Sequence, residues 1–197
     1  MNLRPFGFEI DTRGPGIPAR DRHIKRPLSA LRGQYRDTGA FESMVSQGDP
    51  LAYEVHEVLR PETSGELLSG LSIVHPGLVG DEYFMTKGHF HSVRGTAEIY
   101  YCLRGHGLLL MENEDGDWTA EEFHPGRAVY VTPNYAHRSV NLSLDEDLVT
   151  FFVYPGNAGH DYATIESNGF RKCVVHSSGS FELIDNPAWR APARLLA

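Results

Sequence analysis

The 197-residue sequence has only two cysteines, Cys102 and Cys173, in unrelated segments. A disulfide framework needs more, so reduced, passive thiols and a cytoplasmic protein are expected. The longest apolar stretches, at 108–111 and 149–154, fall far short of the ~20 residues that cross a bilayer, which argues against a membrane. The opening Met1-Asn2-Leu3-Arg4-Pro5-Phe6-Gly7 has no uninterrupted apolar stretch of the kind a secretory signal needs. There is no block of Lys and Arg either. The 18 basic residues face 26 acidic ones, a net charge of −8 that repels phosphate backbones and argues against a nucleic-acid partner. What is present is apolar material. Hydrophobic residues make up 41% and aromatic residues 11%, enough for a sizeable core in one domain with extensions, and enough to exclude general disorder.

Pro and Gly punctuate the first thirty residues (Pro5, Gly7, Gly14, Pro15, Gly16, Pro18), as suits an extended arm. Leu28, Leu31 and Tyr35 share one helical face, which predicts a short helix. After Pro50 the texture changes to short runs of β-branched and aromatic residues separated by turn residues. Strands are expected at 52–59, 68–74, 83–85, 97–103, 107–112, 128–131, 138–141, 148–154 and 172–175, the spacing of an all-β barrel or sandwich. Glu114-Asp115-Gly116-Asp117 is expected to be a hairpin tip. The expected organisation is an N-terminal arm and helix over 1–50, a barrel over 51–185 and a C-terminal tail over 186–197.

Ten histidines are present, of which His23, His56, His75, His106, His124 and His176 are scattered. His89-Phe90-His91 is different. Residues i and i+2 of a strand face the same side, so one cation can take a nitrogen from each ring. Glu98 follows on the next expected strand and can face the pair. His137, after Pro133-Asn134-Tyr135-Ala136, offers a fourth donor. Just before the pair, Thr86 and Gly88 offer a hydroxyl and close backbone amides to anionic oxygens. Lys87 alternates away from them and is expected at the surface.

The order His89, His91, Glu98, Gly105, Gly126, Pro133, His137, Asn141 resembles the two cupin motifs, whose small β-barrel binds a metal through His-x-His, a Glu and a third His. It departs from the common pattern in two ways. Six residues separate His91 from Glu98 instead of three or four, and Pro133 to His137 is one residue short. With these departures the chain resembles the cupin-type glucose-6-phosphate isomerases best known from archaea. The segments that carry the resemblance are Met85-Thr86-Lys87-Gly88-His89-Phe90-His91, Ala97-Glu98-Ile99-Tyr100-Tyr101, Val129-Tyr130-Val131-Thr132-Pro133 with Ala136-His137-Arg138, and Tyr154-Pro155 with Ala158-Gly159-His160-Asp161-Tyr162. It runs from about Tyr53 to Trp189. Ser72 and Ala163 stand where Thr and Gly are expected.

The resemblance implies a double-stranded β-helix, or jelly roll, and one divalent transition metal per subunit on His89, His91, Glu98 and His137. Such a mixed N/O set suits Fe²⁺ foremost, and also Mn²⁺, Ni²⁺ or Zn²⁺. Interconversion of glucose 6-phosphate and fructose 6-phosphate through a metal-stabilised enediol is the implied reaction, with Glu98 as its base and His160 near the sugar ring oxygen. Tyr100, on the Glu98 strand face, can orient Glu98 or the substrate. Tyr53, Ser72, Tyr154 and Tyr162 join Thr86 and Gly88 as phosphate contacts, a site of hydroxyls rather than of arginines. The family's members are usually homodimers. Two other readings remain open at this point, a cupin Fe(II) oxygenase and a non-catalytic sugar-binding cupin.

Overall fold

The computed structural model describes residues 4–14 and 16–190. Pro15, the first three residues of the arm and residues 191–197 of the expected tail lie outside the described residues. Among the described residues thirteen strands form three sheets in which every pairing between neighbouring strands is antiparallel. One layer is a six-stranded sheet in the order β1 (Arg22–Pro27), β2 (Leu51–Val58), β3 (Leu67–Val74), β11 (Leu148–Pro155), β6 (Glu98–Arg104), β9 (Ala128–Val131). The other combines a three-stranded sheet, β10 (Tyr135–Asn141), β7 (Gly107–Asn113), β8 (Trp118–Phe123), with a four-stranded one, β13 (Ser180–Asp185), β12 (Lys172–Ser177), β5 (Glu82–Tyr83), β4 (Leu78–Val79). Single-residue bridges Met85–Val140 and His89–His137 tie the segment after β5 to β10. The fold is the expected cupin-type double-stranded β-helix, two facing layers around one core, with no continuous ladder closing them among the described residues.

Strand alternation builds the core. In β6, Glu98, Tyr100 and Cys102 are buried while Ile99 and Tyr101 face out. Their inward neighbours from both layers, among them Leu68, Val74, Leu109, Val140, Leu148 and Phe152, form one apolar cluster. A second, smaller cluster of Ile17, Val58, Leu71, Ile73 and Val149 lies on the other face of the large sheet, where Phe8 and Ile10 of the arm pack over it.

Several elements differ from the sequence expectation. The arm contains a strand, β1, paired with β2 along its length. The expected helix near Leu28 is one 3-10 turn over Leu28–Leu31. A longer helix, α1 (Thr38–Gln47), follows it, capped by the Asp37 side chain, which accepts from the Ala40 N–H at 2.8 Å. The hairpin tip lies where expected, but its second strand is β8, and Asn113 closes the turn by accepting from the Asp115 and Asp117 N–H groups. A short helix, α2 (Ala163–Asn168), follows the Ala158–Tyr162 segment. Residues 186–190 dock beside it, with the Arg190 N–H donating to the Asn168 carbonyl at 2.9 Å. No helix among the described residues is long and apolar enough to cross a membrane.

Candidate metal centre

His89 and His91 reach their positions through Gly88 rather than through a regular strand. Gly88 has φ +77°, a conformation L side chains avoid, and a Cβ there would stand 2.5 Å from the Phe170 ring. The chain turns at Gly88 and then pairs on both sides. His89 and His137 exchange backbone hydrogen bonds at 3.3 and 3.1 Å, and Phe90 and Asp161 do so at 3.2 and 2.8 Å. Phe90 and Asp161 therefore point one way, and His89, His91, His160 and Tyr162 point the other. The sequence expectation of two imidazoles side by side holds, although isolated bridges, not a long ladder, enforce it.

The ligand atoms of His89, His91, Glu98 and His137 all lie within 4.8 Å of one another. Glu98 Oε2 is 3.1 Å from His91 Nε2 and 2.9 Å from His137 Nε2. The His91 Nδ1 faces the Thr96 carbonyl oxygen at 3.2 Å, a contact that holds the ring with its Nε2 turned towards Glu98. His89 Nε2 and His137 Nε2 are buried without a hydrogen-bond partner; the latter is close to Glu98 but not aligned with it. Buried nitrogens without partners are costly, and here they converge on one point. Burial, then the neighbouring rings, hold His89 well below the usual imidazole range, so its lone pair is free. Burial alone would raise the Glu98 carboxyl; the His137 and His91 rings outweigh it and bring it down to about 2. Three imidazoles with one carboxylate fit a divalent transition ion, and bonds of about 2.1 Å need only small side-chain shifts from this spacing.

The cluster forms one wall of a cavity of about 280 Å³. Tyr53, Ser72, Thr86, Gly88, Tyr100, Tyr154, His160 and Tyr162, all singled out from the sequence, line it with His89, Glu98 and His137. His91 is not among the lining residues and is only 4% exposed. The His160 ring lies 4.4 Å from His89 between centroids and stacks on Tyr162 at 6°. Burial first, then Glu98, keeps the Tyr100 phenol protonated, and Tyr100 donates to the Glu98 carboxylate. The Thr86 hydroxyl accepts from the Ser139 N–H at 3.1 Å, which leaves its own proton free to donate. Ser72 Oγ is buried and unpartnered. Lys87 does not line the cavity; its Nζ is 2.7 Å from Glu166.

Sequence reasoning missed the N-terminal contribution. Arg22, Ile24 and Arg26 of β1 and Glu57 of β2 also line the cavity. The signal was the i, i+2, i+4 spacing within Arg22–Pro27, hidden because the outward residues His23 and Lys25 are as polar as the inward arginines.

The model of the family described as "Glucose-6-phosphate isomerase (GPI)" matches residues 25–190. The match begins at Lys25, so it takes in part of β1 and reaches well before Tyr53. The chain is 41% identical over 186 residues to a glucose-6-phosphate isomerase of Thermococcus litoralis, covering 94% of this chain and 97% of that one. It is 39% identical over 190 residues to the glucose-6-phosphate isomerase of Pyrococcus furiosus, covering 96% and 100%. A putative glucose-6-phosphate isomerase 1 of Rhizobium meliloti is 36% identical over 191 residues, covering 95% and 89%. By that coverage, and with its histidine and glutamate cluster set in a cupin-type fold, the chain belongs to the glucose-6-phosphate isomerase family of these proteins.

Proposed function

We propose that the protein interconverts glucose 6-phosphate and fructose 6-phosphate, an aldose–ketose isomerisation, with one divalent transition metal held by His89, His91, Glu98 and His137. One observation carries this reading: a buried three-nitrogen, one-oxygen donor set shares a single cavity with a row of hydroxyls suited to a phosphorylated polyol. Fe²⁺ is the first choice for that set, and when bound it supplies a Lewis acid that draws charge onto the oxygens of substrate carbons 1 and 2. Glu98, ionised at any physiological pH, takes the proton from one of these carbons and returns it to the other through a cis-enediol. Tyr100 donates to Glu98 and fixes its orientation. His160, stacked on Tyr162 and kept neutral chiefly by burial, stands ready to accept at the sugar ring as it opens. Tyr53, Ser72, Thr86, Tyr154, Tyr162 and the Gly88 backbone hold the phosphate.

A second reading draws on the same site. Glu98 Oε2 is turned to His91 Nε2 and His137 Nε2 at 3.1 and 2.9 Å, an orientation suited to a ligand, which favours direct hydride passage between carbons 1 and 2, with Glu98 as ligand only. Two copies of the chain are expected to pair, supported by exposed Ile99, Tyr101 and Tyr130 on one face of the large sheet. A cytoplasmic location is supported by two buried free thiols. The test is a coupled assay in which fructose 6-phosphate is supplied and glucose 6-phosphate is oxidised by its dehydrogenase. Turnover that saturates with substrate is expected; none with any of Fe²⁺, Mn²⁺, Ni²⁺ or Zn²⁺ present would refute the reading.

A further inference from the structure

Two guanidinium groups line the cavity, and both come from β1. They are not equivalent. Arg22 is opposite Glu57 on β2 and is ion-paired with it, and the Glu57 carboxylate is only 6% exposed as a residue. Arg26 is opposite Tyr53 and, among the described residues, forms no ion pair with any carboxylate. Arg26 and Tyr53, cross-strand neighbours, line the same cavity as Thr86 and Gly88. Arg26 therefore stands in the corner of the cavity that holds Tyr53, Thr86 and Gly88. The donors there are free: the Thr86 hydroxyl has its acceptor role filled by Ser139, and the Gly88 N–H has no backbone acceptor among the described residues. Of the other nearby cations, Lys87 is turned away onto Glu166, and Arg138 is occupied by the Lys87 carbonyl oxygen and Gln34.

We propose that Arg26 is the cation that recognises the phosphate of the substrate, and that Arg22, held by Glu57, is not. This rests on the isomerase reading above for what the phosphate is attached to. A phosphate dianion entering a partly enclosed cavity in a protein of net charge −8 meets repulsion that neutral hydroxyls alone do not offset. A guanidinium fork supplies two charge-assisted hydrogen bonds in one plane. The placement also orients the substrate. The Arg22–Glu57 pair cancels its charge at one end, Arg26 attracts phosphate at the other, and the remaining chain of carbons is directed along the wall formed by His89, Glu98 and His137.

The test is binding by calorimetry, which needs no turnover, with 6-phosphogluconate and gluconate as a matched pair with and without the phosphate. Arg26→Gln is expected to weaken 6-phosphogluconate about 10–100-fold, the worth of hydrogen bonds to a charged group, and to leave gluconate within about twofold. Arg22→Gln combined with Glu57→Gln, which removes the pair together, is expected to keep 6-phosphogluconate within about threefold of the parent. Arg26→Lys keeps the charge without the fork and is expected to fall between parent and Arg26→Gln; it decides the matter if the glutamine variant does not fold. Unchanged 6-phosphogluconate affinity in the Arg26 variants overturns the proposal. So does an equal loss for both probes, which would make Arg26 a wall of the cavity, or a larger loss in the variant lacking the Arg22–Glu57 pair. If the parent fails to isomerise fructose 6-phosphate but the phosphate-specific loss at Arg26 persists, the isomerase reading falls and the anion site stands.

Discussion

Gly88→Ala places a single methyl group at the point where the metal centre and the anion site meet. At φ +77° an L side chain costs about 1–2 kcal/mol by local sterics. The added Cβ would stand 2.5 Å from Phe170 Cε2 and 3.1 Å from Arg138 Cβ. Neither neighbour yields easily. Phe170 is fully buried, and Arg138 is held by bonds to the Lys87 carbonyl oxygen at 2.6 and 3.2 Å and to Gln34 at 2.5 Å. Overpacking of this kind costs about 1–3 kcal/mol more. The combined loss of about 2–5 kcal/mol corresponds to a drop in Tm of roughly 4–20 °C for a chain of this length. Relaxation of the clash moves His89 and the Lys87–Gly88 amides together. Metal affinity and KM for fructose 6-phosphate are therefore expected to worsen along with Tm. Calorimetry, elemental analysis after dialysis and the coupled assay read the three quantities. A variant within about 1 °C of the parent, with full metal and unchanged KM, would refute the claim that this backbone conformation builds the site.

Three further perturbations separate the roles. His137→Ala is expected to leave a folded protein that binds metal about 10–100-fold or more weakly, scaled from what disturbing even outer partners of ligands costs; full occupancy after dialysis removes His137 from the centre. Glu98→Gln with saturating metal is expected to lose about 10²–10⁴ in kcat if Glu98 moves the proton. The parent turned over in D₂O should then gain deuterium at C2 of glucose 6-phosphate, and near-normal kcat in the variant together with an unlabelled product from the parent leaves Glu98 as a ligand alone. His56, on the outer face of the large sheet, is 3% exposed, and burial first, then Arg20 and His23, bring it down to about 4. Because its folded value lies below the unfolded 6.5, the unfolded chain binds a proton first, and stability is lost as pH falls from 6.5 towards 4. His56→Asn keeps an acceptor for the Ile17 N–H, so the stability advantage of the parent over this variant in urea melts should shrink by about 1–3 kcal/mol over that range; a constant difference contradicts it.

The cluster of candidate metal donors was legible because each sits where a short-range rule reaches it. His89 and His91 are two residues apart, and Glu98 and His137 each stand at or beside an apolar strand. The strands that the sequence showed are those with apolar residues on at least one face, such as β3 and β11. β8, with Thr119 and Glu122 exposed and Thr-Ala-Glu-Glu at its centre, has too little apolar contrast to read as a strand. Helix α1 was readable from the Asp37 cap and Phe41, but its one fully buried side chain makes almost no apolar stripe. β1 is the instructive case. Its alternation is polar on both faces, so nothing local separates Arg22 and Arg26, which look into the cavity, from His23 and Lys25, which do not. Only pairing with β2, some thirty residues away in the chain, assigns the faces. An anion site expected to consist of hydroxyls thus acquires an arginine.

The central claim is that His89, His91, Glu98 and His137 hold a metal that isomerisation requires and folding does not. The apolar core joins both layers without the four ligands, so chelation should spare the fold. The direct measurement follows circular dichroism and fructose 6-phosphate turnover on one sample, first stripped with EDTA and then reloaded with Fe²⁺ under anaerobic conditions. The expected result is an unchanged β-sheet spectrum throughout, with turnover abolished on stripping and restored by about one equivalent of metal per chain. Turnover that persists in metal-free protein, or a spectrum that collapses together with activity, contradicts the claim.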